Sequence, residues 1–433
     1  MCSRAIYRDN RQSYHIDYDP LYRLTDLIQG SSLLEHFDYD ATGNRTAANI
    51  GGTAQSYAYP ASSHRLQSVN GTSRDYDNAG NTTLRDGLSY TYNGRNRLSR
   101  VSMGRTTRYA ATYNARGERE EKTLTAGMTT QRFVYDEAGR LIQTGNVPNT
   151  GLNRTLNPEQ RLLWLDDQLV GVKLKTTSGT YPGELLYAHT DHLGTPRALT
   201  RSSNNSTVWR WPLETTAFGQ HPAQTDPDGD GQALTFNLRY PGQYFDAESG
   251  LHYNYFRDYE AGVGRYIESD PIGLGGGIST YVYVGGSPLN FTDPTGLFRF
   301  GPSCNQQQRA MITQAMIDVL LDLAKQCAAG AVGDGCQKCE GCKYYSKLLD
   351  YFTSTVSFQC GGTSMCGQSM VNGHTALNPS LTMAPKPGCG CLKATIFHEA
   401  MHNMAPELGG VSDAAEERTK KAEKSCFTCG AGG

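Results

Sequence analysis

The chain has 433 residues, a formal net charge of −2 and 19% charged side chains. This length leaves room for two to four domains. The near-neutral balance gives no indication of a nucleic-acid or anionic-membrane partner, so we expect neither. No run of about 18 apolar residues is present, so we also expect no membrane span. Residues 1–19 lack the apolar segment of a signal peptide, so we expect export by another route or a natural N-terminus further upstream.

The first third of the chain is organised by short segments built on Tyr-Asp or Tyr-Asn, most of them followed by a glycine and a basic residue. Four of the five spacings between their tyrosines lie between 16 and 22 residues; these tyrosines are Tyr18, Tyr39, Tyr76, Tyr92, Tyr113 and Tyr135. The pattern predicts a strand ending in Tyr, a turn opened by Asp or Asn and closed by Gly, as at Gly43 or Gly94, and then the next strand. One such hairpin buries too little surface to be stable alone, so we expect the hairpins to stack into a continuous sheet.

From Tyr187 the pattern becomes denser and less repetitive, with aromatic, Gly and Arg residues concentrated in segments 187–197, 238–246, 250–259, 264–273 and 293–297. Together with the repeats, these segments resemble the Rhs/YD-repeat family and its repeat-associated core domain, over roughly residues 10–297. The resemblance implies an all-β body that coils into a shell and is followed by a variable toxin. It predicts repeats in residues 1–186, the core in 187–297 and the toxin in 298–433. Because the family's full shells are much longer, we expect a partial shell from a longer or truncated effector.

Two features of the core segment have the residue types of metal ligands. His189 and His192 have no third partner nearby, so a structural role is favoured. Residues 226–231 match the first half of a calcium loop, in which alternating carboxylates surround a hard cation. The twelfth position is Asn237 instead of Glu, so a polar hairpin insertion is the favoured interpretation.

Asp270 and Asp293 each open an Asp-Pro-x-Gly segment. Each segment alone is typical of a turn, because Asp accepts a backbone hydrogen bond, Pro fixes φ and Gly permits the corner. Two carboxyl groups brought together could also share a proton and act as base and acid on a peptide bond. The resemblance to Rhs cores implies the second role: Asp270 and Asp293 would be the catalytic pair of a self-cleaving site that cuts between Leu297 and Phe298.

The tail, residues 298–433, differs from the body in its chemistry, since it holds all of the twelve cysteines except Cys2. Apolar spacing predicts helices at 307–328, 344–352, 393–404 and 412–426. The cysteines, several in Cys-x-x-Cys or Cys-x-Cys pairs, fit disulfides, a structural metal site or free thiols. Disulfides are the favoured interpretation, and they predict a tail that works in an oxidising compartment.

The third of these helices carries the sequence His-Glu-x-x-His. His398 and His402 are four residues apart and can bind one Zn²⁺ from the same face, while Glu399 can accept a proton from a zinc-bound water. The alternative without a metal is two surface histidines on an amphipathic helix. These residues resemble the zincin metallopeptidases, which implies a small, mainly α, zincin-like α+β domain.

The same resemblance implies a third zinc ligand from the next helix. Glu416 is our choice, with Glu417 and Asp413 as alternatives, and Glu416 could instead belong to a capping box. His374, expected in a Gly/Asn-rich loop, could stabilise an oxyanion, but a loop histidine without a role is the favoured interpretation.

The sequence therefore predicts a secreted or delivered effector whose β-body carries and releases a zinc metallopeptidase toxin. The expected partners are a protein or peptide substrate in a target cell, a cognate immunity protein and secretion machinery, with no nucleic acid. The alternative is a non-enzymatic surface or binding repeat protein, or an inactive fragment, that ends in a disulfide-knit module.

Overall fold

The structure is a computed structural model that describes residues 4–9, 12–148, 154–175, 183–213, 217–273 and 279–300, with three short strands further along. These described residues contain 28 β-strands, 3-10 helices at Ala126–Met128 and Val284–Gly286, and no α-helix. The all-β body predicted for this part of the chain is therefore confirmed. No helix in the described ranges has the length and apolar character needed to cross a bilayer.

The repeats form two antiparallel sheets in which neighbours in the chain are also neighbours in the sheet. The N-terminal sheet contains β1 (Arg4–Asp9), β2 (Gln12–Tyr18), β3 (Leu24–Gln29), β4 (Ser32–Tyr39), β5 (Arg45–Ile50), β6 (Thr53–Ala58), β7 (Ser68–Val69) and β8 (Thr72–Ser73). The long sheet contains β9 (Asp75–Tyr76), β10 (Thr82–Arg85), β11 (Leu88–Tyr92), β12 (Leu98–Met103), β13 (Thr106–Tyr113), β14 (Arg119–Leu124), β15 (Thr129–Tyr135), β16 (Leu141–Val147), β17 (Asn157–Leu165), β18 (Gln168–Leu174), β19 (Leu185–Thr190), β20 (Pro196–Arg201) and β21 (Thr207–Arg210). The predicted side-by-side stacking of hairpins is thus confirmed.

The turn that follows each repeat tyrosine is fixed by the Asp or Asn next to it. Tyr39 ends β4, and the Oδ1 atom of Asp40 accepts hydrogen bonds from the backbone amides of Thr42 and Asn44, each at 2.9 Å. Gly43 then takes a left-handed φ of 90°, which glycine adopts without steric cost. The carboxylate supplies locally the hydrogen bonds that the bending backbone would otherwise lose.

The glycine predicted to close the fourth repeat turn is not the left-handed residue. Gly94 lies one position after Asn93, and the positive φ of 60° falls on Asn96 instead. The backbone amide of Asn93 donates to the carbonyl of Arg97 at 2.9 Å, so this turn has the same length as the others. That length places the left-handed residue three positions after the first residue of the turn, and Asn tolerates this conformation better than most residues.

The hydroxyl groups of several repeat tyrosines bond to the strand that precedes their own. Tyr39, Tyr92 and Tyr113 donate to the carbonyls of Leu24, Thr82 and Leu98 at 2.9, 2.8 and 2.7 Å. Each ring covers apolar surface while its hydroxyl satisfies a backbone carbonyl. A tyrosine at the end of a strand therefore ties that strand to the start of the strand before it, at the open end of their hairpin.

Residues after the repeats form a smaller antiparallel sheet that is almost entirely buried. This core sheet contains β22 (Tyr244–Asp246), β23 (Leu251–Asn254), β24 (Arg257–Glu260) and β25 (Arg265–Tyr266). One hydrophobic cluster combines long-sheet side chains such as Leu199 and Trp209 with Tyr259 and Tyr266 of the core sheet. The burial of large aromatic residues from both sheets stabilises their packing.

Buried ion pairs also join the core sheet to the repeats. Asp246 accepts hydrogen bonds from Arg119 at 2.5 and 3.1 Å and from Lys122 at 2.8 Å, and all three side chains are at most 2% exposed. Glu260 is bound by Arg74 at 2.5 and 2.8 Å. These pairs connect residues more than 120 positions apart in the chain.

The chain divides into two compact units, residues 1–269 with 281–296, and residues 270–280 with 297–433. In the second unit, β26 (Ser357–Cys360) runs parallel to β28 (His374–Leu377), and β27 (Gly367–Ser369) runs antiparallel to β28. The helices predicted for the tail lie outside the described residues, so they stay predictions. His374 begins a strand and does not lie in a loop: the pairing of 374–377 with strands on both sides outweighs the Gly and Asn residues around it.

Candidate functional site

Both Asp-Pro-x-Gly segments that the sequence singled out are turns. The amide of Gly273 donates to the carbonyl of Asp270 at 2.9 Å, and the amide of Gly296 donates to the carbonyl of Asp293 at 3.4 Å. Both glycines are left-handed, with φ of 62° and 72°. The two segments therefore have the turn geometry expected from their sequence, and this geometry is compatible with a catalytic role for their carboxyl groups.

Asp270 belongs to the second unit and is buried. Its Oδ1 atom accepts a hydrogen bond from the amide of Ile272 at 3.0 Å, and its own amide donates to the carbonyl of Thr280 at 2.9 Å. The aspartate thus caps its own turn and joins the two ends of the segment 270–280.

Asp293 belongs to the first unit, where side chains of the core sheet hold its carboxyl group. The Oδ2 atom of Asp293, a residue only 3% exposed, accepts a hydrogen bond from the Tyr266 hydroxyl at 2.8 Å and lies 3.4 Å from Nη2 of Arg257. Burial, and then the charge of Asp293, raise the pKa of Tyr266 well above its usual value, so the phenol stays a hydrogen-bond donor. The carboxyl group is therefore fixed by one neutral and one cationic donor.

The same arginine also fixes the backbone just before the predicted cut. Nε of Arg257 donates to the carbonyl of Gly296, while Nδ2 of Asn254 donates to the carbonyl of Asp293 at 2.9 Å. The amide of Phe256 donates to the carbonyl of Thr295 at 3.0 Å. Three residues of one hairpin, at positions 254, 256 and 257, therefore hold residues 293–296 in a single conformation.

This segment lies so close to its neighbours that two glycines are required. A Cβ atom on Gly242, whose φ is 87°, would lie 2.0 Å from the carbonyl oxygen of Pro294. A Cβ atom on Gly296 would lie 2.6 Å from the carbonyl oxygen of Asn254. Both distances are far below van der Waals contact, so no other residue fits at either position without displacing the backbone.

A third Asp-Pro-x-Gly segment, residues 226–229, forms a turn whose aspartate is not held by side chains of a neighbouring sheet. Within the described residues, Asp226 accepts hydrogen bonds only from backbone amides of its own loop. The donors are Asp230 and Gly231, both at 3.1 Å. Ligand oxygens of Asp226, Asp228 and Asp230 lie within 4.8 Å of one another, as in half of a calcium loop. Nη2 of Arg201 binds Asp230 at 2.9 Å, so a guanidinium supplies positive charge to this loop.

The two histidines predicted to have structural roles are both hydrogen-bonded within the body. Nε2 of His189 lies 2.9 Å from the Thr200 hydroxyl, and Nε2 of His192 lies 2.9 Å from the carbonyl of Leu289. Neither belongs to a cluster of metal-ligating side chains within the described residues.

The predicted zinc site lies outside the described residues. This applies to His398, Glu399, His402 and Glu416, and to the alternatives Glu417 and Asp413. Among the tail cysteines, Cys360 alone falls in a described segment, at the end of β26. The zinc, the third ligand and the state of the cysteines therefore stay predictions.

Three residues that hold Asp293 were not assigned a role from the sequence: Asn254, Arg257 and Tyr266. Their segments were recognised as dense and aromatic, but their partners lie 27 to 39 positions away. An arginine at the start of a dense aromatic strand segment was the one available signal, because a buried guanidinium needs an anionic or carbonyl partner.

Comparison with known proteins identifies the relatives of this chain, although no protein-family model matches it. The chain is 32% identical over 332 residues to double-stranded DNA deaminase toxin A of Burkholderia cenocepacia. The aligned region covers 67% of this chain and 21% of that protein. It is 30% identical over 210 residues to "Probable deoxyribonuclease RhsA" of Dickeya dadantii, and this aligned region covers 48% of this chain and 14% of that protein. The relatives are polymorphic toxins of the Rhs and Tc type. The chain thus spans about a fifth or less of the length of these relatives.

The fold is also found in a chain of the Photorhabdus luminescens Tc holotoxin pore. The two structures superpose with a TM-score of 0.50 at 17% identity, over 66% of this chain and 17% of the other. This likeness shows the all-β fold of the body.

The comparisons contradict one prediction, that of a protein or peptide substrate with no nucleic-acid partner. The two sequence relatives are named as a DNA deaminase toxin and a probable deoxyribonuclease. Net charge was a poor guide because it is a sum over the whole chain and does not report the charge of any one part.

Proposed function

We propose that this chain is the carrier and toxin portion of an Rhs-type effector that cuts itself after Leu297. The observation that carries this proposal is the environment of Asp293. A buried carboxyl group is held by Tyr266 and Arg257, and the same arginine binds the carbonyl of Gly296, next to the predicted cut. Carboxyl groups held in one position in this way are among the side chains that act as general acids and bases.

In this proposal Asp270 and Asp293 are the two carboxyl groups of the reaction. One takes a proton from a water molecule as that water attacks the Leu297 carbonyl carbon. The other donates a proton to the Phe298 nitrogen as the peptide bond breaks. The products are a body that ends in the Leu297 carboxylate and a tail that begins with the Phe298 amine.

Two features of the chain support self-cleavage over cutting by an external protease. Leu297 and Phe298 are only 2% and 5% exposed, so a protease could reach the bond only after local unfolding. The segment before the bond is already held in one conformation by the hairpin of Asn254, Phe256 and Arg257. A fixed geometry of this kind is what an intramolecular reaction requires.

The test is the mass of the purified full chain. The parent should yield a C-terminal fragment beginning at Phe298, and Asp293→Asn should stay intact while keeping its fold. Asp270→Asn should also stay intact, because both carboxyl groups are needed. A single full-length species from the parent chain would contradict the proposal.

For the tail, we infer a zinc-dependent hydrolytic toxin. The support is the His-Glu-x-x-His sequence, in which His398 and His402 would hold the metal and Glu399 would accept a proton. Zinc held there would activate a water molecule toward phosphoryl as well as acyl centres, so the motif alone leaves the substrate open. The names of the relatives make DNA the first substrate to offer the tail.

Metal binding and chemistry can be separated by variants. His398→Ala or His402→Ala should remove zinc and toxicity together, whereas Glu399→Gln should keep zinc and lose toxicity by a factor of about 10² to 10⁴. Glu416→Ala should weaken zinc binding, and if only Glu417→Ala does so the third ligand is the neighbour. Zinc by mass spectrometry and growth of cells expressing each variant are the measurements. A zinc-free parent, or full toxicity from Glu399→Gln, would contradict the inference.

A further inference from the structure

A cavity of about 270 Å³ in the first unit contains a buried arginine that no ion pair explains. Arg239 is 5% exposed, and its Nη1 atom donates to the carbonyls of Phe236 and Leu238 at 3.0 and 2.9 Å. No carboxylate of the described residues pairs with it. Its Nε and Nη2 atoms make no hydrogen bond within the described part of the chain, and neither is fully enclosed by protein. Two donors of a nearly buried cation that lines the cavity therefore have no protein partner in the described part of the chain.

The position of this guanidinium is fixed by aromatic rings. Its central carbon lies 5.7, 5.2 and 4.9 Å from the ring centroids of Trp209, Trp211 and Phe245. These contacts orient the group without neutralising it. Burial lowers the pKa of Arg239 to about 10, so the side chain still carries its charge at neutral pH. Much of the desolvation cost of this group therefore arises on folding and not on ligand binding.

A second polar group faces the same cavity. His252 is 2% exposed, and its Nδ1 atom lies 2.8 Å from Oε1 of Gln243, which leaves Nε2 available. Burial, and then the charge of Arg239, lower the pKa of His252 well below its usual value, so the imidazole is neutral. A neutral imidazole adds no charge to the cavity, and its Nε2 atom can accept a hydrogen bond from a hydroxyl group.

The charges around the cavity leave an excess of one cation. Two carboxylates, Asp86 and Glu260, contribute to the lining, but Glu260 is bound by Arg74 and Arg85, and Asp86 lies 3.5 Å from Arg85. Counting these groups with Arg239 gives three guanidinium groups against two carboxylates. The unmatched positive charge is that of Arg239.

We propose that this cavity binds the oxyanion group of a small molecule, a carboxylate or a phosphate, with Arg239 as its counter-ion. The free Nε and Nη2 atoms of a guanidinium form the parallel pair of donors that matches such a group. The cavity is larger than a single ion needs, and its size suits a ligand of a few more atoms.

Two of the three tryptophans in the chain stack on Arg239, so their fluorescence reports directly on the cavity. The purified full chain is titrated with sodium phosphate and, separately, with sodium acetate, at an ionic strength held constant with sodium chloride. We expect a saturable change with at least one of the two probes, and the stronger probe identifies the group. Sodium chloride alone should give none.

Three variants accompany the titration. Arg239→Gln should weaken binding at least tenfold, because it removes the charge and the paired donors. Gly262→Leu should abolish binding while Arg239 remains, since Gly262 lines the cavity and a Cβ there meets nothing within 4 Å. Arg105→Gln, at an exposed arginine in the turn between β12 and β13, is the matched control and should bind as the parent does.

A parent chain that shows no saturable response to either probe would overturn the proposal. So would an Arg239→Gln or Gly262→Leu variant that responds as the parent does. If Arg239→Gln does not fold, Gly262→Leu decides the question by itself.

Discussion

The repeat turns and the core sheet use acidic residues in opposite ways. In the repeats, Asp40 and Asp136 bond to amides two and four residues further along, so each turn satisfies its own carboxylate. In the core sheet, Asp246 and Glu260 depend on cations 127 and 186 positions away. Stability in the repeats is therefore local, whereas the core sheet is stable only when distant parts of the chain are in place.

The largest difference should appear when one aspartate of each kind loses its charge. Asp246→Asn leaves Arg119 buried without its counter-ion and should cost about 3 to 5 kcal/mol. Asp136→Asn should cost less than about 1 kcal/mol, because an asparagine opens the same kind of turn at Asn93. Denaturant unfolding followed by tryptophan fluorescence compares the two. Equal losses would mean that the two regions do not differ in this way.

Acid should affect the core sheet through Glu260. The charges of Arg85 and Arg74 outweigh the effect of burial and lower the pKa of Glu260 to about 2 from an ordinary 4.5. Its contribution, at most about 3 kcal/mol, is therefore present above pH 4.5 and is lost as the pH falls through 2. Unfolding temperatures measured from pH 5 to pH 2 should fall steeply for the parent and less for Glu260→Gln. Parallel pH profiles would contradict this assignment.

A buried pair of carboxyl groups in the same region should change the stability of the fold with pH in the opposite direction. Burial raises the pKa of Asp258 to about 7 and that of Glu268 well above its usual value, and the amide of Asp258 donates to Oε2 of Glu268 at 2.7 Å. The folded chain binds protons more tightly here, so this stability is present at low pH and is lost as the pH rises through 7.

Glu268→Gln removes one of the two groups. The loss of stability between pH 5 and pH 8 should shrink by about 1 to 2 kcal/mol, since one buried charge no longer forms. Thermal unfolding at the two pH values measures the change. A variant that loses as much stability over this range as the parent would show that the pair does not titrate as described.

The smallest effect concerns a repeat turn that carries strain. Tyr22 occupies the left-handed position of the first turn, with φ of 60° and a side chain that is 61% exposed. Tyr22→Gly should raise stability by about 0.5 to 1 kcal/mol, because it removes the strain and little packing. Leu21→Gly, at the equally exposed neighbour, is the control and should give no gain. A loss from Tyr22→Gly would mean that this tyrosine packs against something.

The same contrast explains how much could be predicted from the sequence. The Tyr-Asp and Tyr-Asn segments predicted strands, turns and stacking correctly, because each turn is satisfied by residues within four positions. The one local error, at Gly94, arose because the left-handed position depends on turn length and not on the nearest glycine. The partners of Asp293 were not predicted, since Arg257 and Tyr266 reach it only after the core sheet has formed.

The most direct test of the account compares two turns of the same sequence form. Asp293 and Asp226 both open an Asp-Pro-x-Gly turn, but Asp293 alone is buried and held by Arg257 and Tyr266. Intact-mass spectrometry should show that the parent and Asp226→Asn both release the fragment beginning at Phe298, while Asp293→Asn does not. Release from Asp293→Asn, or an equal block by Asp226→Asn, would contradict the claim that the environment of Asp293 makes this turn a cleavage site.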